Sequence, residues 1–195
     1  GSVVPIPTRD VTEATEMLGV FFKPQGTSLV HVQQMCKKGY DWADRLATRP
    51  LPPRDAWLSF FLQLLPGISW GLLTVVMSPA QLDREFNDLY YRILPLLGVN
   101  RHIGFDWRML SERFGGLGLP NFVVLAFACN IYFLQSNWGF ENAVSQMMLH
   151  CYESFIVEIG LYDNVFSLDY DKWSGLATDG TWYKNFWEYS STLGI

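Results

Sequence analysis

Along residues 28–49, apolar side chains recur at spacings of three, four and seven. They are Leu29, Val32, Cys36, Ala43 and Leu46, with Met35 and Trp42 widening the stripe. This period places them on one face of a helix. The helix ends at Arg49, because a residue that precedes proline avoids the α region. Pro52-Pro53 opens a second helix over 54–65, rich in Trp57, Phe60, Phe61 and Leu64. Pro66-Gly67 bends it, and 68–77 continues as a nearly uncharged, buried helical segment. Ser78-Pro79-Ala80-Gln81 is a capping-box pattern with proline at the first helical position. The helix it starts has Leu82, Phe86, Leu89, Tyr90, Ile93 and Leu97 on one face, and Pro95 cuts its last turn.

A basic, less regular stretch follows, and Gly115-Gly116-Leu117-Gly118-Leu119-Pro120 then leads into an apolar core helix over 121–135. Another helix, near 142–159, carries Val144, Met147, Met148, Cys151, Phe155, Ile156 and Ile159, with Gly160 as its C-terminal cap. The tail, 161–195, alternates acids with aromatics and predicts a last short helix over 181–190. At the front, the apolar run 17–22, with its Val and Phe content, predicts a strand, followed by a turn at Pro24-Gln25-Gly26. No second convincing strand is evident, so its ladder partner is expected upstream. The expected fold is mainly α, a helical bundle with a short N-terminal strand at its edge. Three parts are expected: 1–27 (Gly1-Ser2 as a cloning remnant, the lead-in and the strand), a helical bundle over 28–114, and a further helical region with an acidic aromatic tail over 115–195.

Composition sharpens this picture. Apolar types make up 49% of the 195 residues, charged types 17% and aromatics 16%, where an ordinary domain is roughly a quarter charged. Such a chain is neither disordered nor low-complexity. It has a thick core or covers part of its surface with a partner, and the second reading is preferred. The formal charge of −5 is uneven: residues 1–120 hold twelve basic and eleven acidic side chains, and 121–195 hold two and eight. Any phosphate contact therefore belongs to the front.

Catalytic chemistry is hard to find. Cys36, Cys129 and Cys151 form no Cys-x-x-Cys pair, so neither a zinc knuckle nor a disulfide framework is expected. This usage fits a reducing, intracellular compartment. His150 and Cys151 are adjacent, but helix neighbours point about 100° apart, so no metal site is expected there. No charged region precedes an apolar stretch at the front, so no secretory signal is expected, and the run 122–134, broken by Asn130, is shorter than the roughly 20 residues a bilayer requires. The Gly-rich stretch lacks the Lys-Ser/Thr pair of a phosphate loop and reads as a tight turn between packed elements. No nucleophile–base constellation is found, and no catalytic residue is expected in this chain. The leading binding feature is a stripe of Lys38, Arg45 and Arg49, within roughly 40° of one another on the wheel and beside Trp42. Basic groups one or two turns apart can follow a phosphate backbone; the plainer reading is a solvated face, since Asp41 and Asp44 adjoin it.

The order of features carries a resemblance. Leu18-Gly19-Val20, a Gly-containing turn, a long helix with Trp42, Leu-Pro-Gly at 65–67, Leu-Pro-Leu-Leu-Gly at 94–98 and Gly-Gly-Leu-Gly-Leu-Pro-Asn-Phe at 115–122 occur in sequence. So does a tail stretch around Trp182, Phe186, Trp187 and Glu188. This arrangement resembles the region after the catalytic palm in reverse transcriptases of non-LTR (LINE-type) retroelements, across nearly the whole chain. The resemblance implies a helical thumb that grips an RNA–DNA template–primer duplex by its backbone, beside an upstream palm. The parent would be an RNA-directed DNA polymerase whose Mg²⁺-binding aspartates lie in that palm. Those aspartates and the fingers are absent here, so no cofactor is expected within this chain. The resemblance makes 28–49 the first long thumb helix, with Lys38, Arg45, Arg49 and Trp42 at the nucleic acid, and Arg101, His102, Arg108 and Arg113 as a second set. Residues 121–195 would pack the bundle or face a protein partner. The alternative is a helical interaction or scaffold module derived from such an element, without nucleic-acid binding.

Overall fold

A computed structural model describes residues 15–17, 20–22, 28–160 and 164–195. The mainly helical bundle expected from the sequence is what the chain forms. Its first long helix, α1 (Leu29–Thr48), buries Val32, Met35, Cys36, Ala43 and Leu46 of the stripe read from periodicity, together with His31 and Gly39, whereas Leu29, placed in that stripe, is 46% exposed at the first turn. Ser28 does not cap its own helix. Its hydroxyl donates to the carbonyl of Thr74 at 3.3 Å and accepts from the Val76 amide at 2.8 Å, which ties the start of α1 to the segment after residue 72.

The second helical stretch runs as α2 (Pro53–Ser59), a π-helical turn (Phe60–Leu64) and α3 (Leu65–Leu72). The disturbance comes before Pro66, not at the Pro66-Gly67 pair. A proline offers no amide hydrogen and crowds the preceding turn, and a wider turn accommodates it. Helix ends at Leu72, so the expected continuation to 77 does not form. The next helix, α4 (Pro79–Ile93), starts where the capping pattern places it: the Ser78 hydroxyl accepts from the Gln81 amide at 3.3 Å. A 3₁₀ turn, Leu94–Leu97, closes it around Pro95.

After the short α5 (Phe105–Met109) come α6 (Phe122–Asn137) and α7 (Ala143–Ile159). Asn121 caps α6, its side-chain oxygen accepting from the amides of Val123 at 2.9 Å and Val124 at 3.3 Å. Gly160 ends α7 at φ +73°, a left-handed conformation that suits glycine. The tail folds through α8 (Tyr170–Trp173) into α9 (Trp182–Leu193), capped by Thr181.

One main core takes Val32, Phe60, Leu72, Phe86, Phe122 and Phe186, among others, from α1, the π turn, α3, α4, α6 and α9. Each such side chain contributes about 1.5–3 kcal/mol by leaving water. Phe86 and Phe122 stack with ring centroids 3.9 Å apart, which locks α6 onto α4. A smaller cluster of Phe155, Ile159, Val165, Ala177, Tyr183 and Trp187 seats α7 against α9. Trp187 is fully buried, and its indole donates to the Leu168 carbonyl at 3.1 Å.

Two expectations need correction. The single strand over 17–22 is replaced by two three-residue strands, β1 (Thr15–Met17) and β2 (Val20–Phe22), paired antiparallel with Met17 opposite Val20. The ladder partner is local because Thr15–Met17 can extend beside β2, a short pairing that composition alone did not reveal. The lead-in and the turn at 24–26 lie outside the described residues. Second, α6 is apolar all round but not wholly internal: Val124 and Tyr132 are 47% and 71% exposed. Among the described residues, no helix is long and apolar enough to cross a membrane.

Candidate nucleic-acid interface

The α1 wheel sets the geometry. Its core face is centred on Val32, Met35, Gly39 and Ala43, which leaves Lys38, Arg45 and Arg49 exposed on one flank. At 1.5 Å per residue, Lys38 and Arg45 are about 10 Å apart along the axis and Arg45 and Arg49 about 6 Å. Among the described residues none of the three forms an ion pair. Of the two adjoining acids, Asp41 is exposed, three residues from Lys38 and four from Arg45, and Asp44 pairs with Arg92 of α4, whose guanidinium lies 5.3 Å from the Tyr40 ring centroid. Arg45 and Arg49 sit where a helix C-terminus favours cations, by about 0.3–1 kcal/mol. Lys38, ten residues before the last helical residue, has no such structural reason.

Trp42 does not join this surface as a stacking platform. It is half-buried, its indole donates to the Ser59 hydroxyl at 3.0 Å, and its ring meets Phe60 edge-on at 6.2 Å. Its position at the margin of the apolar stripe fixes α1 to the π turn.

The second basic set divides. Arg101, His102 and Arg113 are exposed, and the His102 ring tilts against Tyr91 at 6.4 Å. Arg108 is withdrawn, only 5% exposed. Its guanidinium donates to the Asn87 side-chain carbonyl at 3.2 Å and lies 5.6 and 5.5 Å from the rings of Tyr91 and Phe105. An Arg108 held this way pins 101–119 to α4 and cannot reach a phosphate. That segment folds back on itself: the amides of Leu117, Gly118 and Leu119 donate to the carbonyls of Trp107, Leu110 and Arg108 at 3.0, 2.9 and 2.9 Å. Gly115 is at φ +81°, and a Cβ at Gly116 would collide with the Leu110 backbone. The glycines therefore serve a tight turn between packed elements.

The remaining ionisable groups offer little reactive chemistry. Burial pushes the Cys36 thiol up to about 12, with Glu85 and Asp88 adding to it; Cys129 is raised by burial as well. A polar cleft of about 730 Å³ runs between the start of α4 and the start of α9, lined by Arg84, Glu85, Tyr170, Asp179, Lys184 and Glu188, among others. Two pairs of its groups meet, Lys184 with Asp179 and Tyr170 with Glu188. Lys184 donates to Asp179 at 2.6 Å and to the Ala177 carbonyl at 2.9 Å. Burial holds the Glu188 carboxyl above its ordinary range, against the opposing pull of a hydrogen bond from Tyr170. His150 Nδ1 lies 3.4 Å from Glu153, and Cys151 beside it is exposed. Among the described residues no three His, Cys, Asp or Glu side chains gather into a metal-holding group.

Two structural roles had no sequence signal. His31 is buried within the α1 stripe, its Nε2 3.2 Å from the Gly71 carbonyl. Asn185 clamps the backbone of Met77 from 108 residues away. Comparison with protein-family models, with curated proteins and with solved structures gave no match for this chain.

Proposed function

We propose that the chain is the thumb and post-thumb portion of a non-LTR retroelement reverse transcriptase, gripping an RNA–DNA template–primer duplex by its backbone and carrying no catalytic centre of its own. The observation that supports this most is the α1 flank. Lys38, Arg45 and Arg49 are aligned and exposed, and of the two acids that adjoin them Asp44 is held by Arg92 while Asp41 stays exposed on the same flank. Cations so spaced hold phosphates without reading bases. The two exposed arginines of the second set, Arg101 and Arg113, with His102, extend the grip; Trp42 and Arg108 shape it from beneath. Palm aspartates supplied by the parent polymerase would hold Mg²⁺ and perform nucleotide addition.

The test is direct binding. A labelled RNA–DNA hybrid of about 20 base pairs is titrated with the parent chain and with Lys38→Glu/Arg45→Glu. Charge reversal at two phosphate contacts is expected to weaken binding at least tenfold at low salt, with far-ultraviolet circular dichroism unchanged. Equal binding by both proteins would remove α1 from the interface. Absence of hybrid binding by the parent chain would favour the interaction-module reading instead.

A further inference from the structure

Helix α7 buries Met148, Phe155 and Ile159, yet Val144, Met147, Leu149 and Val157 stay exposed. Between α7, the end of α3, α6 and the first turn of α9 lies an open groove of about 580 Å³. Met147, Cys151, Ser154 and Glu158, four, three and four residues apart, form its α7 wall. The eleven helical steps from Met147 to Glu158 give this wall a length of about 16 Å, three turns. Leu73, Phe133 and Trp182 stand opposite. The polar atoms of the aromatic lining are already engaged: the Trp182 indole donates to the Leu73 carbonyl at 3.4 Å and the Tyr183 hydroxyl to the Met148 carbonyl at 2.9 Å. The groove thus offers apolar contact, including two adaptable thioethers, and few hydrogen bonds.

Charge decides what fits. Among the described residues no lysine or arginine lines the groove, and Glu158 stands at one end, accepting from the Thr178 amide at 2.9 Å. The part of the chain that supplies α6, α7 and α9, residues 121–195, holds eight acids and two lysines. Both lysines are occupied, Lys184 by Asp179 and Lys172 by the Trp173 ring at 4.9 Å. A phosphate backbone would meet the Glu158 carboxylate and no cation in the described lining, and a second copy would supply another apolar face with another Glu158 instead of a cation.

We propose that the groove between α6, α7 and α9 binds an amphipathic helix of a partner protein, its apolar stripe seated on Met147, Cys151 and Trp182 and flanked by lysine or arginine. This is the helix-in-groove mode of recognition, in which anchors at i, i+3/i+4 and i+7 match the three turns available. The surface is separate from the α1 flank and does not depend on the duplex reading.

A fluorescein-labelled 16-residue Leu/Lys peptide with one helical apolar face serves as the probe, titrated by anisotropy with the full chain at 50 and 200 mM salt. Saturable binding that weakens with salt is expected. Cys151→Trp, which fills the groove, and Glu158→Lys should each weaken it at least tenfold, whereas Lys38→Glu/Arg45→Glu should leave it unchanged. Bound peptide should also slow thiol labelling of Cys151 in the parent chain at least fivefold, a readout independent of how the variants fold. The proposal is overturned by any of four results: no saturable binding, equal binding of a Leu/Glu peptide or a scrambled Leu/Lys peptide, an unprotected Cys151, or a concentration-dependent dimer abolished by Cys151→Trp.

Discussion

Asn185 joins the tail of the chain to its front. Its side-chain amide donates to the Met77 carbonyl at 2.8 Å, and its oxygen accepts from the Met77 amide at 3.3 Å. Both residues are buried, 6% and 8% exposed. Asn185→Ala leaves an amide and a carbonyl without partners, and each such group costs about 1–3 kcal/mol when water cannot replace the bond. The polar cleft adjoins Asn185, so partial hydration brings the sum toward about 2–4 kcal/mol. Urea unfolding followed by tryptophan fluorescence and circular dichroism measures it. With a slope of about 2–3 kcal/mol per molar, the midpoint should fall by about 1 M. Ser191→Ala, on the exposed side of α9, is the surface control and should stay within about 0.5 kcal/mol. A loss below 0.5 kcal/mol in Asn185→Ala would mean that water satisfies Met77 and that the clamp does not hold the tail.

Further perturbations probe other joints of the structure. Burial lowers the His31 pKa below 6.5, with Lys38 adding to the effect, so the unfolded chain binds the proton more readily. Stability from a neutral His31 is full above pH 6.5 and is lost as pH falls through the lower folded value. His31→Gln should therefore flatten the stability profile in that window; subtracting the two profiles cancels Glu188, which acts with opposite sign, and unchanged slopes would contradict the burial argument. Gly71→Ala drives a Cβ into His31 and within 2.8 Å of the Met35 sulfur, and thermal unfolding should show a loss of about 1–3 kcal/mol. Gly67→Ala in the same helix meets nothing within 4 Å and should gain about 0.5–1 kcal/mol by helix propensity; reversed signs would place α3 wrongly. Ser78→Ala removes the α4 cap and should cost about 1 kcal/mol by the same assay.

Much of the fold was legible because local rules and burial agree. The α1 stripe from Val32 to Leu46, the Ser78 cap, the Gly160 stop and the Thr181 start combine a short-range signal with a matching apolar face, and each appears where the pattern placed it, whereas Leu29 stays exposed at the first turn. The π turn was hidden because Pro66 announces a disturbance without saying how the chain absorbs it. Uniform apolarity in α6 indicated burial but could not show which side remains uncovered. Among site residues, Lys38, Arg45 and Arg49 were readable as an exposed stripe from the wheel. Arg108 and Trp42 were not placed correctly, since an arginine in a basic run and a tryptophan at a stripe margin can each face inward when partners such as Asn87 and Ser59 are brought close by long-range packing. His31 and Asn185 meet backbone groups 40 and 108 residues away, which no local pattern encodes.

Counterion release provides the most direct measure of the α1 flank. Three phosphate contacts at about 0.9 each give a slope of log K against log salt near −2.7, a loss of roughly 40-fold between 50 and 200 mM. Hybrid affinity of the parent chain should follow at least this slope, and Lys38→Gln/Arg45→Gln/Arg49→Gln should reduce its magnitude by about 2.7. Parallel lines for the two proteins would show that no phosphate rests on α1.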